Sequence, residues 1–495
     1  MPITKVSRNR RAIWEVGTHL PPGKTGVYQL GFPFQISPTE IGISLNIRWS
    51  GVKTIDMEIG NDLLIMDHLG AIDSKRIQVL NRSEVKPHPR SGKPTLFARY
   101  PLQGGFVPYG ALRSDGTPHP HAGTGFAVGV GLGFRGDRNI ANEVDYQNAE
   151  EADQYQYHEL EIQQYGYDGA VFNIRSIAFD DGSHLLPGWY LRNCGLGAAI
   201  PDGDDLLQPF VGGCSRTKGP MGSGVLRWHC VNEKWRPIDF TPVTIHNDIQ
   251  EQDMEDPQWS YVDNEWRLVE SVTNAISDAI PDQEIEKPQS GYVPLDMLSH
   301  YTEPSLVRDL DGSLLFTARA QGTQPYAPGP LKAEHVCIWQ STDGGRSWTK
   351  IMEAPHIRAL TPMTLNRAAD GTPYLAANPA RSTNSLGQRL GSIVMRETLM
   401  IWPLAHNRRS LLEPIMIRDC TNEWGKPPHG SFWRIDHPVG LTVRLSDNKW
   451  HHVLVYRGLE HNECDSDASV TPFTGTYIEK VFSNKEPQPV WRFFI

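Results

Sequence analysis

This chain of 495 residues has little of what marks several large classes of protein. It has only six cysteines, which lie far apart and form no CxxC pair, so the sequence indicates neither a zinc ribbon nor a disulfide-stabilised scaffold. No apolar run is long enough for a membrane span, and none follows the basic N-terminus as it would in a signal peptide. We therefore expect a cytoplasmic protein without a membrane partner.

Basic charge is also scarce. Lysine and arginine number 47 against 57 aspartate and glutamate, which gives a net charge of -10 and no basic field for a phosphate backbone. We therefore expect no nucleic-acid partner. Disorder is excluded, because 39% of the residues are hydrophobic and 14 Trp, 16 Tyr and 16 Phe supply apolar area for a core.

Long segments of helical periodicity are rare, and 45 glycines and 38 prolines indicate short elements joined by many turns. A strand, a turn and a second strand recur six times instead. The turn residues of the six copies are Asp115, Asp181, Asn264, Asp311, Asp370 and Asp447. Hairpins too small to bury their own faces are typical of radially stacked blades. We predict an all-β protein, a six- or seven-bladed β-propeller of four-stranded antiparallel blades.

The repeats also suggest how the chain is divided. Residues 1–100 precede the first marked turn and are rich in strands and turns, so we predict an N-terminal β region that forms an extra blade or a cap. We predict that residues 101–495 form the propeller. The acidic, turn-rich segment at 201–288 is predicted to be a long insertion over one face of it.

The segment STDGGRSW, between Ser341 and Trp348, combines an aspartate, paired glycines and a terminal tryptophan. In such a sequence the glycines supply positive φ and Asp343 binds turn amides, with the tryptophan packed beneath. The segment resembles the Asp-box of sialidase-like propellers. This resemblance implies the fold and no particular chemistry.

A longer resemblance to bacterial sialidases begins upstream, in TEPSLVRDLDGSLLFTARAQG. Sialidases have a similar stretch in which a catalytic glutamate is followed by a strand, an Asp-Gly turn and a strand that ends in a substrate-binding arginine. Glu303 and Arg319 occupy those positions. The segment YLAANPARSTNSLGQRLGSIVMRETLMIWPL resembles the one that carries a second carboxylate-binding arginine, which is Arg396 here, with Arg389 as the reserve.

The sequence also departs from sialidases. GFVP has Val107 where their first arginine stands, and DHPVGLTVRLSDNKW has Asp436 and His437 near the place of their tyrosine nucleophile. The loop that carries their acid/base aspartate offers a set of other candidates. These are Asp145, Asp153, Tyr157 and His158. We therefore expect Tyr157 and His158 to take part in proton transfer in place of the missing aspartate.

A propeller brings distant strand ends together in an axial hollow, where we place the site. Two guanidiniums, on Arg319 and Arg396, suit a substrate carboxylate, although each arginine would equally pair with an internal acid. Glu303 suits a base or an orienting group, or is simply the partner of Arg319. Imidazole as a chemical type suits proton transfer near neutral pH, and Asp436 stands beside His437 to fix its tautomer.

Further binding candidates are His119 and His121, which follow the first Asp turn, and Tyr301, two residues before Glu303. His-x-His is also a pair of metal ligands, but we identify no third ligand in the sequence. We therefore expect neither a metal ion nor another cofactor.

Three functions remain open. The first is a carbohydrate-active enzyme that cleaves a glycosidic bond next to a carboxylated sugar, a sialic or uronic acid, as a sialidase-like glycoside hydrolase. Without the tyrosine, water would attack directly and invert the anomeric centre. The second is a lyase that acts by β-elimination on a uronate. The third is a non-catalytic glycan-binding propeller. In each case the partner is an acidic oligosaccharide or polysaccharide.

Overall fold

The structure of the chain is a computed structural model. The described residues are 3–6, 11–13, 26–49, 58–66, 75–82, 84–87, 94–99, 103–113, 115–135, 157–168, 172–180, 182, 184–186, 190–213, 221–244, 258–262, 265–269, 301–320, 336–354, 357, 361–379, 396–427, 431–444, 450–462, 468–469, 473 and 475–483.

Strands account for almost all of the regular structure. In the first half of the chain they are β1 (Ile3–Val6), β2 (Arg11–Ile13), β3 (Gly26–Gln35), β4 (Ile41–Trp49), β5 (Glu58–Met66), β6 (Lys75–Arg82), β7 (Glu84–Pro87), β8 (Pro94–Arg99), β9 (Gln103–Phe106), β10 (Thr124–Arg135), β11 (Tyr157–Tyr167), β12 (Phe172–Asp180), β13 (Tyr190–Cys194), β14 (Ile200–Asp202), β15 (Asp205–Gly213), β16 (Met221–Val231) and β17 (Lys234–Pro242).

The second half has fourteen further strands and one short helix among the described residues. They are β18 (Gln258–Val262), β19 (Glu265–Val269), β20 (Tyr301–Arg308), β21 (Leu314–Ala320), β22 (Val336–Ser341), β23 (Thr349–Ala354), β24 (Thr364–Arg367), β25 (Pro373–Ala377), β26 (Thr398–Pro403), β27 (Ile415–Asp419), α1 (Cys420–Trp424), β28 (Ser431–Arg444), β29 (Trp450–Asn462), β30 (Ala468–Ser469) and β31 (Gly475–Ser483).

Six four-stranded antiparallel blades form a closed ring. In chain order their strands are β3–β6, β9–β12, β13 and β14 with β15–β17, β20–β23, β24–β27, and β28 and β29 with β31 and β1. Each blade contacts the next, and β28 of blade six contacts β3 of blade one. The prediction of an all-β propeller of four-stranded blades is confirmed, and the number of blades is six.

The N-terminal strand closes the ring, because β1 pairs with β31 as the outermost strand of blade six. Residues 1–100 contain this closing strand together with the whole of blade one. The segment predicted to be an insertion contributes β14 to β17 to blade three, and then the separate hairpin of β18 and β19. Among the described residues, no helix has the length and apolar character that a membrane crossing needs.

Asp-Gly turns join the innermost strand to its neighbour in blades two, four and five. Asp115, Asp311 and Asp370 each accept a hydrogen bond at 2.9 Å from the backbone N–H two residues on. The glycine between them has a φ of 85°, 90° and 87° respectively, which a residue with a Cβ rarely adopts. The same Asp-Gly-Ser/Thr chemistry therefore shapes three blades in the same way.

The turn between β22 and β23 is held by Asp343. Its Oδ1 accepts hydrogen bonds from Ser347 N at 2.9 Å and from Ser341 Oγ at 2.7 Å. Trp348 donates its indole N–H to Gly345 O and lies edge-on to a phenylalanine of the blade core. These contacts make the turn a structural feature on the outer side of blade four.

The innermost strands run parallel around the axis. Thr364 Oγ1 donates to Pro438 O and Thr442 Oγ1 to Arg367 O, so residue numbers rise together in β24 and β28. We call the end where these strands begin the front face and the end where they turn back the turn face. Residues at the starts of β20 and β28 consequently lie on the front face, and the Asp-Gly turns lie on the turn face.

Gly195 lies where blades three and four approach most closely. A Cβ there would lie 2.3 Å from Pro304 O and 2.6 Å from Pro209 O, and both are backbone atoms that cannot rotate away. We expect Gly195→Ala to lower the free energy of unfolding by about 1–3 kcal/mol because the blades must separate. Urea denaturation measures the loss, and an unfolding midpoint equal to that of the wild type would contradict it.

Candidate functional site

Two β-bulges, in the innermost strands of blades four and six, form the core of the site. The pairing of β20 with β21 is interrupted at Glu303, and that of β28 with β29 at His437. Glu303 has a φ of 48° and His437 a φ of 51°, left-handed conformations that place strain on a residue with a side chain. A bulge re-aims the side chain it carries, and both side chains here are chemically active types.

Blade five lies between these two strands in the ring. Their side chains therefore meet near the propeller axis, on the inner side of blade five. His437 Nε2 lies 3.6 Å from Glu303 Oε1. A buried apolar cluster with members from blades one, three and six lies across the propeller axis. Its members are Leu30, Phe32, Leu196 and Val439. We call the front-face end of the axis, beside Glu303 and His437, the hollow.

Glu303 is a carboxylate held beside a guanidinium. Arg319 Nη1 donates to Glu303 Oε2 at 3.0 Å, and about a fifth of each side chain is exposed, 19% and 22%. Burial raises the pKa of Glu303, but Arg319 and His437 lower it further, so its pKa lies well below the usual value. Glu303 is thus ionised at neutral pH.

Asp436 is a buried hub. No part of its side chain is exposed, and its carboxylate accepts from Arg457 at 2.7 and 2.9 Å and from Arg434 Nε at 2.6 Å. Arg396 Nη1 approaches the same carboxylate at 2.5 Å. Burial raises the pKa of Asp436, while Arg434, Arg457 and His437 lower it by more, so its pKa lies well below normal.

His437 is oriented from its Nδ1 side. Asp436 Oδ1 lies 2.8 Å from Nδ1, and Arg457 Nη2 lies 3.3 Å from the same nitrogen. A carboxylate at Nδ1 stabilises a proton on that nitrogen, and Nε2 faces the hollow beside Glu303. Since 11% of the side chain is exposed, His437 can contact a ligand.

Among the described side chains of this cluster, guanidiniums outnumber carboxylates. Its ion pairs join four guanidiniums to the two carboxylates of Glu303 and Asp436; the guanidiniums belong to Arg319, Arg396, Arg434 and Arg457. Burial lowers the pKa of Arg396 to about 10 and that of Arg434 well below normal. Unbalanced buried cations are costly, and an anion in the hollow would relieve the cost.

The structure thus brings together Glu303, Arg319, Arg396, Asp436 and His437 of the candidates expected from sequence. The partners and the exposure of some of these side chains differ from the expectation. Both arginines pair with acids, and Arg396 has only 7% of its side chain exposed, with Asp436 as its partner. Asp436 itself is wholly buried and contacts His437.

Tyr301 does not belong to the hollow. It is 7% exposed in the apolar core of blade four, edge-on to Trp339, with its hydroxyl 3.3 Å from Cys337 Sγ. Burial is the first cause of a strongly raised pKa of this hydroxyl. The expectation that Tyr301 binds substrate is corrected, because no face of its ring is open to a ligand.

His119 and His121 lie at the opposite end of the molecule from Glu303. They follow the Asp115 turn of blade two, where His121 N donates to His119 Nδ1 and His121 lies edge-on to Trp235. This turn is on the turn face, whereas Glu303 is near the start of its strand. The expectation that both histidines line the same hollow is therefore corrected.

Tyr157 and His158 begin β11, which pairs with the end of β10 at the front side of blade two. Only their backbone is described, and their side chains lie outside the described part of the structure, as do Asp145 and Asp153. Their proposed part in proton transfer stays a prediction. Val107, where sialidases have an arginine, is buried in an apolar cluster.

Two members of the cluster, Arg434 and Arg457, were not expected from the sequence. Arg434 stands two residues before Asp436 in one strand, so both side chains share a face. Arg457 is the partner of Asp436 in the register of β28 and β29. The Arg-x-Asp spacing in the sequence could have identified Arg434. No sequence pattern identifies Arg457, because its contact with Asp436 depends on the register of β28 and β29.

Within the described residues, no group of three or more histidine, cysteine or acidic side chains could hold a metal ion. No protein-family model matches the chain, and no curated protein sequence matches it either. The resemblance to sialidases therefore rests on the residues quoted above.

Several solved structures are similar in fold. An intramolecular trans-sialidase from Ruminococcus gnavus, in complex with oseltamivir carboxylate, is 10% identical with a TM-score of 0.48, over 93% of this chain and 96% of that chain. An α-L-arabinofuranosidase from Fusarium graminearum is 9% identical with a TM-score of 0.42, over 96% and 97%. A protein of unknown function from Dyadobacter fermentans is 12% identical with a TM-score of 0.45, over 96% and 100%.

Proposed function

We propose that this protein is a carbohydrate-active enzyme that cleaves a glycosidic bond next to a carboxylated sugar. The observation that carries the proposal is the axial hollow in which His437, oriented by Asp436, faces ionised Glu303, where guanidiniums outnumber carboxylates among the described side chains. Such an excess favours an anionic ligand, and a histidine with a carboxylate at Nδ1 is suited to proton transfer.

Arg319 anchors the substrate carboxylate in this proposal. Its guanidinium is the most exposed of the four, and its Nε is buried without a hydrogen-bond partner among the described residues. Arg434, with 10% of its side chain exposed, supplies the next most exposed positive charge of the cluster. Charge-assisted hydrogen bonds from a planar guanidinium fix both the position and the orientation of a carboxylate.

Hydrolysis is the reaction that these residues fit best. His437 Nε2 takes a proton from a water molecule as the oxygen of that water attacks the anomeric carbon and the glycosidic bond breaks. Glu303 stabilises the positive charge that develops on the sugar and on the imidazole. We assign protonation of the leaving oxygen to the segment from Asp145 to His158, whose side chains lie outside the described part of the structure.

The distance between Glu303 and His437 limits how these two residues can share the work of an inverting mechanism. Opposed groups of an inverting enzyme stand about 6.5–9.5 Å apart to admit water between them. These two are 3.6 Å apart, so they act together on one side of the sugar. They are not the two opposed groups of an inverting mechanism.

This same-side arrangement favours β-elimination as the second candidate. His437 Nε2 would take the proton from the carbon next to a uronate carboxylate, and the electron pair would form the new double bond as the glycosidic oxygen leaves. Guanidiniums beside the carboxylate stabilise the enolate-like charge of such a reaction. Elimination needs the base, the guanidiniums and, as hydrolysis does, a group that protonates the leaving oxygen; the described residues supply the first two.

One assay separates the candidates. The wild-type protein is incubated with sialylated and uronate-containing oligosaccharides and with their carboxyl-reduced counterparts, and both new reducing ends and unsaturated-uronate absorbance are recorded. Reducing ends without absorbance identify hydrolysis, and both signals together identify elimination. Binding of the acidic glycans without turnover would instead make the protein a glycan-binding propeller.

The role of Arg319 predicts a loss confined to acidic substrates. Removing a charge-assisted hydrogen bond costs about 1.5–3 kcal/mol, so we expect Arg319→Ala to lower kcat/KM about 10- to 150-fold on the carboxylated substrate. The carboxyl-reduced substrate should show a small change. Arg346→Ala, on the exposed outer turn of the same blade, is the matched control. An equal loss on both substrates would contradict the role of Arg319.

A further inference from the structure

The dipeptide Asp436–His437 is anchored to blade five on both of its sides. Before it, Ile435 N donates to Arg396 O at 2.6 Å, and Ile435 O accepts from Asn378 Nδ2 at 3.0 Å. After it, Pro438 O accepts from Thr364 Oγ1. None of these bonds belongs to the ladder that joins β28 to β29.

The bulge makes such anchors necessary. Because the register between β28 and β29 breaks at the dipeptide, the ladder alone does not fix its conformation. The left-handed φ of 51° at His437 has a cost of about 1–3 kcal/mol, and a strained residue keeps its geometry only when its surroundings hold it. The neighbouring blade supplies that support.

Both anchoring side chains are completely buried, so neither Thr364 nor Asn378 touches a ligand. Asn378 Nδ2 donates to two carbonyls, Thr398 O at 2.8 Å and Ile435 O at 3.0 Å. Its Oδ1 has no hydrogen-bond partner among the described residues, which disfavours an asparagine on grounds of stability alone. Its two donated bonds connect the strand after Arg396 to the strand of Asp436.

We propose that Thr364 and Asn378 are positioning residues that set where His437 Nε2 lies relative to Glu303. The proposal rests on the function proposed above. Thr364 fixes the carbonyl that follows His437, and Asn378 fixes the carbonyl that precedes Asp436. Together they hold the dipeptide in the only conformation that keeps Nδ1 on Asp436 and Nε2 in the hollow.

Thr364→Val tests the proposal, because valine keeps the shape and removes only the hydroxyl, which donates to Pro438 O and accepts from Asn366 Nδ2 at 2.8 Å. Misplacement of a reacting group by about 1 Å costs up to about 10²-fold in rate, so we expect kcat to fall about 10- to 100-fold while KM changes less than about twofold. Thr364→Ser should restore most of the rate. Thr442→Val is the matched control, since Thr442 Oγ1 binds Arg367 O between the same two strands near the turn face.

A spectroscopic measurement makes the test independent of turnover. Nitrogen-15 spectra of the histidine rings report tautomer and environment, with the His437 signal assigned from its asparagine variant. We expect Thr364→Val and Asn378→Leu to shift the His437 signals, and Thr442→Val to shift those of His452, whose Nδ1 is 2.8 Å from Thr442 Oγ1.

The outcomes separate the two proposals. If wild-type protein turns over no acidic glycan yet Thr364→Val moves the His437 signals, the proposed function fails and the anchoring stands. If wild-type protein is active and Thr364→Val matches it in kcat and in the His437 signals, the positioning role is overturned. If Thr364→Val does not fold, Asn378→Leu is tested in its place. Leucine has a similar volume and removes both the two hydrogen bonds donated by Asn378 Nδ2 and the Oδ1 that has no partner among the described residues.

Discussion

Replacing His437 with asparagine is expected to lower kcat about 10²- to 10⁴-fold, the usual contribution of a positioned general base. Asparagine is chosen because it tolerates the left-handed backbone that His437 adopts, with a φ of 51°. The variant therefore keeps the bulge and loses only the imidazole. Steady-state kinetics on the preferred acidic oligosaccharide measure the effect, and thermal unfolding checks that the fold is retained.

His451→Asn provides the control for this loss. His451 lies on β29 in the same sheet, near the turn face and away from the hollow. Its variant should keep wild-type kcat. If the His437 variant retained more than about a tenth of wild-type kcat, His437 would not be the base, and Glu303 would remain as the proton acceptor.

Local chemistry made the propeller predictable from the sequence. Asp115, Asp311 and Asp370 stand in Asp-Gly-Ser/Thr turns whose hydrogen bonds join adjacent residues, so their structure depends on a few neighbouring positions. The count of six repeated turns also included Asn264, which lies between β18 and β19 outside the six blades. Blade one turns through Ser37–Glu40 without an Asp-Gly pair and was therefore not counted.

The sequence pattern could not predict which distant segments pair with each other. The closing strand pairs Ile3 with Ser483, and no local signal links two ends of a chain. The site shows the same limit. Glu303 and Arg319 are neighbours across one hairpin and were placed correctly together, whereas Arg457 meets Asp436 only through the register of two long strands. Nothing in composition reveals a register.

The hairpin geometry does explain why His119 and His121 were assigned to the wrong end. Residues directly after an inner turn lie on the turn face, while residues that precede an inner strand or follow the second strand lie on the front face. Arg319, near the end of β21, and Arg396, just before β26, obey this rule. Applied to the Asp115 turn, the rule separates the two histidines from Glu303.

Asp436→Ala should have the largest effect on stability of any single change in the site. Removing its carboxylate leaves three buried guanidiniums, those of Arg396, Arg434 and Arg457, without their shared acceptor. Breaking a buried ion pair in this way costs about 3–5 kcal/mol. Turnover should also be lost, because the Nδ1 of His437 no longer has the carboxylate that orients it.

Urea denaturation of Asp436→Ala beside Asp204→Ala isolates the effect of burial. Asp204 binds Arg113 through two hydrogen bonds at 3.0 and 2.8 Å, yet both side chains are about 40% exposed, 39% and 43%. An exposed pair contributes about 0–1 kcal/mol, so Asp204→Ala should change the free energy of unfolding little. Equal losses of unfolding free energy in the two variants would contradict the role of Asp436 as the shared acceptor of three buried guanidiniums.

Acid titration tests the same carboxylate in the wild-type protein. Folding lowers the pKa of Asp436, so the folded state binds its proton less readily than the unfolded state. The stabilisation is therefore fully present above the unfolded pKa of about 3.9 and is lost as pH falls below it towards the folded value. Asp436→Asn, which keeps the size but cannot titrate, should show a shallower loss of stability between about pH 4 and 2 than the wild type. Parallel curves would mean that the three guanidiniums derive no stabilisation from its charge, and the anion that they require would then have to come from the substrate alone.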